Sequence, residues 1–203
     1  MSQQEHREEW DAMRIGKVSA SHAHEVLAKG KGVTRNKYMV RLALERLTGI
    51  IEPTFQSQSM ERGIEIENEA RRAYEGEKLT PITEALFVDH PTIPMLGCSP
   101  DGLAGDDGLI EIKCRDSHNH IAVLLGAKVD RPAFLQTQTQ MAVTGRQWTD
   151  YVHYDSRCPH GLDLYIKRIE SDAVIQNEIC LAVIQFNQEL DELLAKLKAL
   201  QGK

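Results

Sequence analysis

The chain has 203 residues, of which 41% are hydrophobic and 27% are charged. This length and composition are typical of one globular domain with a continuous core, so we expect residues 1–203 to form a single domain. No apolar run approaches the roughly 20 residues that cross a bilayer. The start MSQQEHREEW is charged and lacks the apolar stretch of a signal peptide, so we expect a cytoplasmic protein.

The formal net charge of −6 argues against a protein that coats nucleic acid nonspecifically, because such binding needs a basic surface to neutralise phosphates. A DNA enzyme is not excluded, since the 24 Lys and Arg residues can line one channel while the exterior stays acidic. The four cysteines show neither CxxC pairs nor metal-ligand spacing. This pattern predicts reduced and mostly buried thiols.

The N-terminal part of the chain has the periodicity of helices. Residues 10–29 are typical of two helical pieces around a turn, with Ser19 and Ser21 placed to cap the second piece. Residues 36–49 predict an amphipathic helix, and residues 59–79 predict a further one. The expected apolar positions of this last helix are Ile64, Ala70 and Tyr74.

The middle of the chain changes to short apolar segments separated by Pro, Gly and Asp, which predicts an antiparallel meander of strands. Its expected strands lie at residues 84–90, 95–104 and 108–114. Two helices, two strands and a long closing helix from Ser171 should follow. The expected helices are residues 120–128 and 131–145, and the expected strands are residues 148–155 and 162–170. This order predicts the α+β class, with a central mixed β-sheet flanked by helices.

The stretch GCSPDGLAGDDGLIEIKC, residues 97–114, places charged side chains on strands that otherwise have the apolar character of a core. Glu111 and Lys113 are two residues apart and therefore share one face of their strand. The hairpin turn AGDDG brings the preceding strand alongside, so Asp101 is expected beside Glu111. Two carboxylates this close repel each other unless a cation lies between them. The pattern therefore predicts a divalent metal site.

Oxygen ligands of this kind favour Mg²⁺ or Mn²⁺, and the backbone carbonyl of Ile112 is a candidate further ligand. Lys113 could orient or deprotonate an attacking water, and the metal would lower the pKa of that water. This combination suits phosphodiester hydrolysis. Charged strand residues also occur as solvated or cross-strand pairs, but here they come in the order, and with the turn, that a metal site needs. Asp106 and Asp107 are expected to be turn residues only.

Five motifs occur in one order along the chain and carry a resemblance to a known family. Their key residues are Trp10, Arg14 and Ser21 in EEWDAMRIGKVSAS, Glu67 in RGIEIENEA, Ser99 and Asp101 in CSPDGL, Glu111 and Lys113 in LIEIKC, and Gln136 and Gln138 in FLQTQTQMAVTG. With these motifs the chain resembles the PD-(D/E)xK nucleases. Within them it is similar to the phage lambda exonuclease and YqaJ-type viral recombinase family, from about Trp10 to Thr144.

The resemblance implies an alkaline exonuclease with a PD-(D/E)xK nuclease core, which digests linear double-stranded DNA from the 5′ end and leaves a 3′ overhang. It implies two Mg²⁺ ions, with Mn²⁺ as a substitute, held by Asp101, Glu111, the Ile112 carbonyl and Glu67. Lys113 would position the water and act with Asp101 and Glu111 in catalysis. A pocket for the 5′ phosphate would consist of Arg14, Ser21, Ser99 and Gln136. The implied assembly is a homotrimeric ring around DNA, and the implied partner is a single-strand annealing protein.

The physical properties of Arg14 and Ser21 agree with a phosphate pocket. A guanidinium fork suits phosphate oxygens, and Ser21 is expected at a helix N-terminus, where N–H groups face an anion. An alternative for Arg14 is a surface ion pair with a neighbouring acid, namely Glu8, Glu9 or Asp11. Whether Gln136 or Gln138 belongs to the pocket stays open. His22 and His24 have no third ligand nearby in the sequence and are expected at the surface.

Two other functions remain open at the level of sequence. A structure-specific or site-specific endonuclease would share the metal core, although it would have no use for a pocket that grips a terminal phosphate at Arg14 and Ser21. An inactive DNA-binding or assembly module is the third hypothesis. The presence of Asp101, Glu111 and Lys113 together disfavours it, because a decayed member is expected to lose at least one of them.

Overall fold

The computed structural model describes residues 3–29, 32–51, 58–114 and 116–201, with side chains from residue 8 in the first helix and from residue 66 in the fourth. The helices are α1 Gln3–Arg14, α2 Ala23–Val26, α3 Val33–Thr48, α4 Gln58–Lys78, α5 Ser117–Leu124, α6 Arg131–Thr144 and α7 Ala173–Gln201. The strands are β1 Val18–Ser19, β2 Ile82–Thr83, β3 Val88–Asp89, β4 Leu96–Cys98, β5 Gly102–Ala104, β6 Gly108–Lys113, β7 Trp148–Tyr154 and β8 Leu164–Glu170.

The strands form two sheets. The larger sheet has the order β2-β5-β6-β7-β8, and the smaller sheet has the order β1-β4-β3. Strands β6 and β7 are parallel, whereas the other neighbours in the larger sheet are antiparallel. A parallel pair needs a long crossover connection, which α5 and α6 provide. The predicted mixed sheet with flanking helices is therefore confirmed.

The expected single meander is wrong. Strands β3 and β4 form one antiparallel pair and β5 and β6 form another, but the two pairs lie in different sheets. The chain leaves the smaller sheet after Cys98 and enters the larger one at Gly102, with Pro100 between them. Proline has no N–H group to continue a ladder, so a change of sheet is favourable at this point.

Strand β6 is covered by a helix on each face. Ile110 and Ile112 pack in one cluster with Ala70 and Tyr74 of α4, which confirms the apolar face predicted for that helix. The side chain of Ile64, also expected on this face, lies outside the described residues. The odd-numbered residues of β6 face the other way, and their apolar members pack in a separate cluster that includes Leu109, Ala133, Met141, Tyr151 and Ile169. Glu111 and Lys113 therefore face α6, on the same side of the strand as predicted.

The closing helix α7 covers a second core. Its apolar residues at three- and four-residue steps, Ile179, Val183, Phe186 and Leu190, are fully buried against α2, α3 and the smaller sheet. Each such side chain contributes about 1.5–3 kcal/mol through removal of apolar surface from water. None of the described helices is long and apolar enough to cross a membrane. The four cysteines are free thiols, of which Cys98 is buried and the other three are half-buried.

The segment after α1 differs from the prediction. Residues Val18–Ser19 pair in parallel with β4, and only a 3₁₀ turn and the four-residue α2 follow. The extended backbone of Ser19 starts the turn without a side-chain cap, so the predicted capping role of the serines is wrong. Ser19 belongs to strand β1 instead, where it pairs with Gly97. Its N–H donates to the Tyr38 hydroxyl, and its side-chain hydroxyl lies 2.9 Å from His22 Nδ1.

Candidate active site

The carboxylate of Glu111 is buried at the end of β6 and is surrounded by donors. Its Oε1 atom accepts hydrogen bonds from Lys113 Nζ at 2.6 Å and from Gln136 Nε2 at 2.7 Å. The Oε2 atom accepts a hydrogen bond from Gln140 Nε2 at 2.6 Å. Glu111 is only 1% exposed, and a buried charge needs such partners to be tolerated. The arrangement fixes the position of this carboxylate relative to β6 and α6.

Asp101 lies beside Glu111 across the β5–β6 hairpin, as predicted. Gly102 pairs with Ile110, so the next positions outward in the ladder are Asp101 and Glu111. The Asp101 Oδ2 atom accepts a hydrogen bond from the backbone N–H of Ile112 at 2.6 Å. Burial and the neighbouring carboxylates of Glu111 and Glu67 raise the pKa of Asp101 well above its usual range, although Lys113 and the Ile112 N–H oppose this shift.

Lys113 is held as an ammonium between these acids. Burial lowers the pKa of Lys113, but the carboxylates of Glu111 and Asp101 outweigh that effect and raise it above the ordinary value. The ammonium also donates to Gln136 Oε1 at 3.3 Å. A lysine with a raised pKa is poorly suited to remove a proton from water at neutral pH. Of the two roles predicted for Lys113, orienting the water agrees better with this electrostatic environment than deprotonating it.

Glu67 approaches the same group from α4. Burial raises the pKa of Glu67, Arg71 lowers it, and the Glu111 and Glu84 carboxylates raise it further. Arg71 donates to Glu67 Oε1 at 3.2 Å and also pairs with Glu84. Glu67 and Asp101 line one cavity of about 540 Å³. The structure therefore brings Glu67 into the electrostatic environment of Asp101 and Glu111.

The donor set fits a hard divalent ion. Mg²⁺ in proteins is commonly bound by one or two carboxylates, with water and phosphate oxygens filling the other positions. The pair Asp101 and Glu111 matches that pattern, and their mutual effect on pKa is the repulsion that a cation would relieve. Among the residues with described side chains, no group of three or more His, Cys, Asp or Glu is arranged to hold a metal ion. Asp101 and Glu111 are therefore candidate ligands as a pair of carboxylates.

Of the four residues expected to bind a 5′ phosphate, Arg14, Ser21 and Ser99 line two cavities, and Gln136 lines neither. Arg14 and Ser21 line a cavity of about 380 Å³, whereas Ser99 lines the cavity that contains Asp101. Trp10 connects the two, because its Nε1 atom donates to Ser99 Oγ at 2.7 Å and the Arg14 guanidinium lies 3.9 Å from its ring centre. Arg14 also forms the ion pair considered as its alternative role, from Nε to Asp11 Oδ1 at 3.0 Å.

The two glutamines of the α6 motif point in different directions. Gln136 contacts Glu111 and Lys113, whereas Gln138 donates to the Glu170 carbonyl and accepts from the Asp172 N–H. Gln136 therefore lies beside Glu111 and Lys113, whereas the side chain of Gln138 is bound to the backbone at the end of β8. Sequence reasoning missed Gln140, although a spacing of four residues from Gln136 places both on one face of a helix.

Two further residues near Ser21 were also missed or misjudged. Ser19 Oγ lies 3.1 Å from Ser21 Oγ, and His22 Nδ1 lies within hydrogen-bonding distance of both. The prediction that His22 is a surface residue is wrong, because its side chain is only 26% exposed and its ring stacks on Tyr38. The amino-acid pattern carried no indication of this, since His22 and Tyr38 are brought together only by the packing of α3.

A model of the YqaJ-like viral recombinase domain matches residues 9–147, which include every candidate site residue named above from the five motifs. The chain belongs to the YqaJ-like viral recombinase family. An alkaline exonuclease from Laribacter hongkongensis, LHK-Exo, is 43% identical to it, over 96% of this chain and 98% of that chain, with a TM-score of 0.90. The complex of LHK-Exo with dAMP has the same identity and coverage, with a TM-score of 0.91.

A phage related exonuclease from Haemophilus somnus 129PT is 14% identical, over 92% of this chain and 99% of that chain, with a TM-score of 0.70. This second likeness concerns the fold alone. Among curated protein sequences, no significant match to the chain was found. The resemblance predicted from the five motifs is confirmed at the level of the family, and the α+β nuclease fold that it implied is confirmed as well.

Proposed function

We propose that this member of the YqaJ-like family is a metal-dependent exonuclease. It digests linear double-stranded DNA from 5′-phosphorylated ends and leaves 3′ single strands for recombination by strand annealing. The observation that carries the proposal is the convergence of Asp101, Glu111 and Lys113 at one end of β6, beside the Asp101 cavity. The family match and the likeness to LHK-Exo support the same activity.

The metal would be Mg²⁺, with Mn²⁺ as a substitute. Asp101, Glu111 and the Ile112 carbonyl would hold one ion, and Glu67 would contribute to a second. When bound, such an ion lowers the pKa of water and offsets charge on phosphate oxygens. Both carboxylates are held by the chain, Asp101 through the Ile112 N–H and Glu111 through Gln136 and Gln140. This positioning reduces the reorganisation that binding and catalysis would otherwise require.

Lys113 would act as a fixed positive charge beside the reacting phosphate. Its ammonium is oriented by Glu111 and Gln136, and its raised pKa keeps it charged at neutral and moderately alkaline pH. A charge in this place can orient the attacking water and stabilise negative charge that develops on the phosphoryl oxygens. The Lys113 side chain is 23% exposed, so it remains accessible from solvent.

The proposed 5′ polarity depends on the neighbouring Arg14 cavity. Arg14 and Ser21 would bind the terminal phosphate, with Ser99 between that cavity and the metal site. Gln136 instead contacts the catalytic carboxylate and lysine, so it would act from the metal side. LHK-Exo has been solved in complex with dAMP, and we infer that the site of this chain also accepts a nucleoside monophosphate, which would be the product of the proposed hydrolysis. The homotrimeric ring and the single-strand annealing partner are part of the proposal.

The proposal is tested with three DNA substrates, each with and without Mg²⁺. Linear duplex with 5′-phosphate should be digested rapidly, linear duplex with 5′-hydroxyl slowly, and closed circles not at all. Release of mononucleotides and labelling of each strand give the polarity. Digestion of circles would instead support the endonuclease, and absence of any cleavage would support an inactive DNA-binding module.

Two variants separate chemistry from end recognition. Lys113→Ala should lower kcat by at least about 10³-fold, because electrostatic stabilisation of the transition state is lost, with DNA binding near wild type. Lys128→Ala, the same change at an exposed lysine, is the matched control and should retain full activity. Arg14→Ala should mainly remove the preference for phosphorylated ends. Loss of folding in Lys113→Ala, seen by circular dichroism, would indicate a structural ion pair rather than a catalytic one.

A further inference from the structure

Two serine hydroxyls and one imidazole form a compact triangle at the edge of the Arg14 cavity. Ser19 Oγ lies 2.9 Å from His22 Nδ1, Ser21 Oγ lies 3.0 Å from the same nitrogen, and the two hydroxyl oxygens are 3.1 Å apart. All three residues line that cavity. Because the three groups are within hydrogen-bonding distance of one another, the direction of one hydrogen bond determines which directions the other two can take.

The imidazole ring of His22 is held in one orientation. It stacks on Tyr38 with ring centres 5.0 Å apart and an angle of 13° between the planes. The Tyr38 hydroxyl accepts the Ser19 N–H, so the ring is fixed to the same strand that carries the serine. The other ring nitrogen, Nε2, faces Glu25 Oε1 at 3.7 Å. This distance is too long for a hydrogen bond, but the negative charge of the carboxylate favours a hydrogen on Nε2, which leaves Nδ1 as the acceptor.

Burial lowers the pKa of His22 to about 3, and the guanidinium groups of Arg41 and Arg14 act in the same direction. The imidazole is neutral at working pH, and its Nδ1 atom offers a single lone pair. Only one of the two serine hydroxyls can donate to that lone pair. If Ser19 donates to Nδ1, the hydroxyl hydrogen of Ser21 is left to point toward Ser19 Oγ or toward a ligand in the cavity.

We propose that His22 is a positioning residue of the terminal-phosphate pocket, which accepts the Ser19 hydroxyl hydrogen and so leaves Ser21 as a hydrogen-bond donor to the 5′ phosphate. The proposal rests on the function proposed above for Arg14 and Ser21. Arg41 extends the same cavity, and its guanidinium lies 4.7 Å from the Tyr38 ring centre. The pocket thus combines two guanidinium groups with an oriented hydroxyl, which suits a phosphomonoester dianion better than a phosphodiester.

Two amide substitutions distinguish the contribution of His22 Nδ1 from that of Nε2. In His22→Asn the amide oxygen can reach the position of Nδ1, whereas in His22→Gln the amide lies near the position of Nε2. A third variant, Ser19→Ala, removes the hydroxyl that donates to Nδ1 and makes Ser21 the donor in its place. This last variant does not touch the phosphate in the proposed arrangement, and it is the smallest change to the fold.

The measurement is the ratio of affinities for duplexes that differ only in a 5′-phosphate or 5′-hydroxyl, by fluorescence anisotropy in EDTA, together with kcat and KM in Mg²⁺. His22→Gln and Ser19→Ala should each lower the affinity ratio by about tenfold, the loss expected for one charge-assisted hydrogen bond. The change should fall on KM, with kcat altered less than about twofold. His22→Asn should keep a ratio near that of the wild type.

Several results would overturn the proposal. An unchanged ratio in Ser19→Ala, or equal losses in His22→Asn and His22→Gln, would show that the imidazole only supports packing against Tyr38. Should His22→Gln fail to fold, Ser19→Ala and His22→Asn still give a decision. If the wild-type protein bound the 5′-phosphate and 5′-hydroxyl duplexes equally well, the cavity would not be a phosphate pocket. The proposed role of His22 would then be wrong as well. If the protein did not hydrolyse DNA, only the kcat and KM measurements in Mg²⁺ would be lost. The affinity ratio in EDTA would still test the role of His22.

Discussion

Mild acid should destabilise this protein through His22. In the folded chain, burial and the neighbouring positive charges lower the pKa of His22 from 6.5 to about 3. In the unfolded chain the imidazole regains its ordinary pKa, so it takes up a proton at a higher pH than the folded protein does. The contribution of neutral His22 to stability is therefore complete above pH 6.5 and decreases as the pH falls from there toward 3.

The expected magnitude follows from this shift. A pH of about 5 is about 1.5 units below the pKa of the imidazole in the unfolded chain. Each unit of difference corresponds to about 1.4 kcal/mol of free energy. The free energy of unfolding should therefore fall by about 2 kcal/mol between pH 7.5 and pH 5 because of His22 alone. The group is 26% exposed, so little of this effect is lost to screening by solvent.

The assay is urea unfolding, followed by circular dichroism, at four pH values across that interval. His22→Asn is the comparison, because an amide cannot take up the proton and the same neighbours remain. Burial also lowers the pKa of His90, but His90 contributes equally to both proteins and cancels in the difference. The wild-type protein should lose about 2 kcal/mol more than the variant. Parallel pH profiles for the two proteins would show that protonation of His22 does not destabilise the folded chain.

Two further predictions concern buried carboxylates. Gln140→Leu removes the donor to Glu111 Oε2 and leaves that oxygen unpaired, so the free energy of unfolding should fall by about 1–3 kcal/mol, measured in guanidinium chloride; an unchanged midpoint would mean that water replaces the amide. Tyr74→Phe removes the hydroxyl that donates to Asp150 Oδ2 at 2.8 Å. It should cost about 1–2 kcal/mol of stability while DNA hydrolysis stays at the wild-type rate, and a large loss of activity would place Asp150 in the active site instead.

Local patterns in the sequence were sufficient to predict how the main residues of the candidate site are placed relative to one another. Residues two apart in a strand share a face, so the common orientation of Glu111 and Lys113 followed from spacing alone. The hairpin between Asp101 and Glu111 followed from a glycine-rich turn, and the ladder Gly102 to Ile110 agrees with it. The long apolar stripe of α7 was visible for the same reason, since three- and four-residue steps follow one helix face. Each of these features depends on neighbours in the chain.

Features that depend on distant parts of the chain were not predictable in this way. One such feature is the division of the strands into two sheets. Others are the parallel pairing of Val18 with Leu96 and the packing of His22 against Tyr38, which bring together residues from different elements of the chain. The choice between Gln136 and Gln138 was of the same kind, because it depends on which face of α6 packs against β6. Spacing along the chain determines which side chains share a surface, whereas only tertiary packing determines what that surface meets and therefore which groups are charged, neutral or oriented.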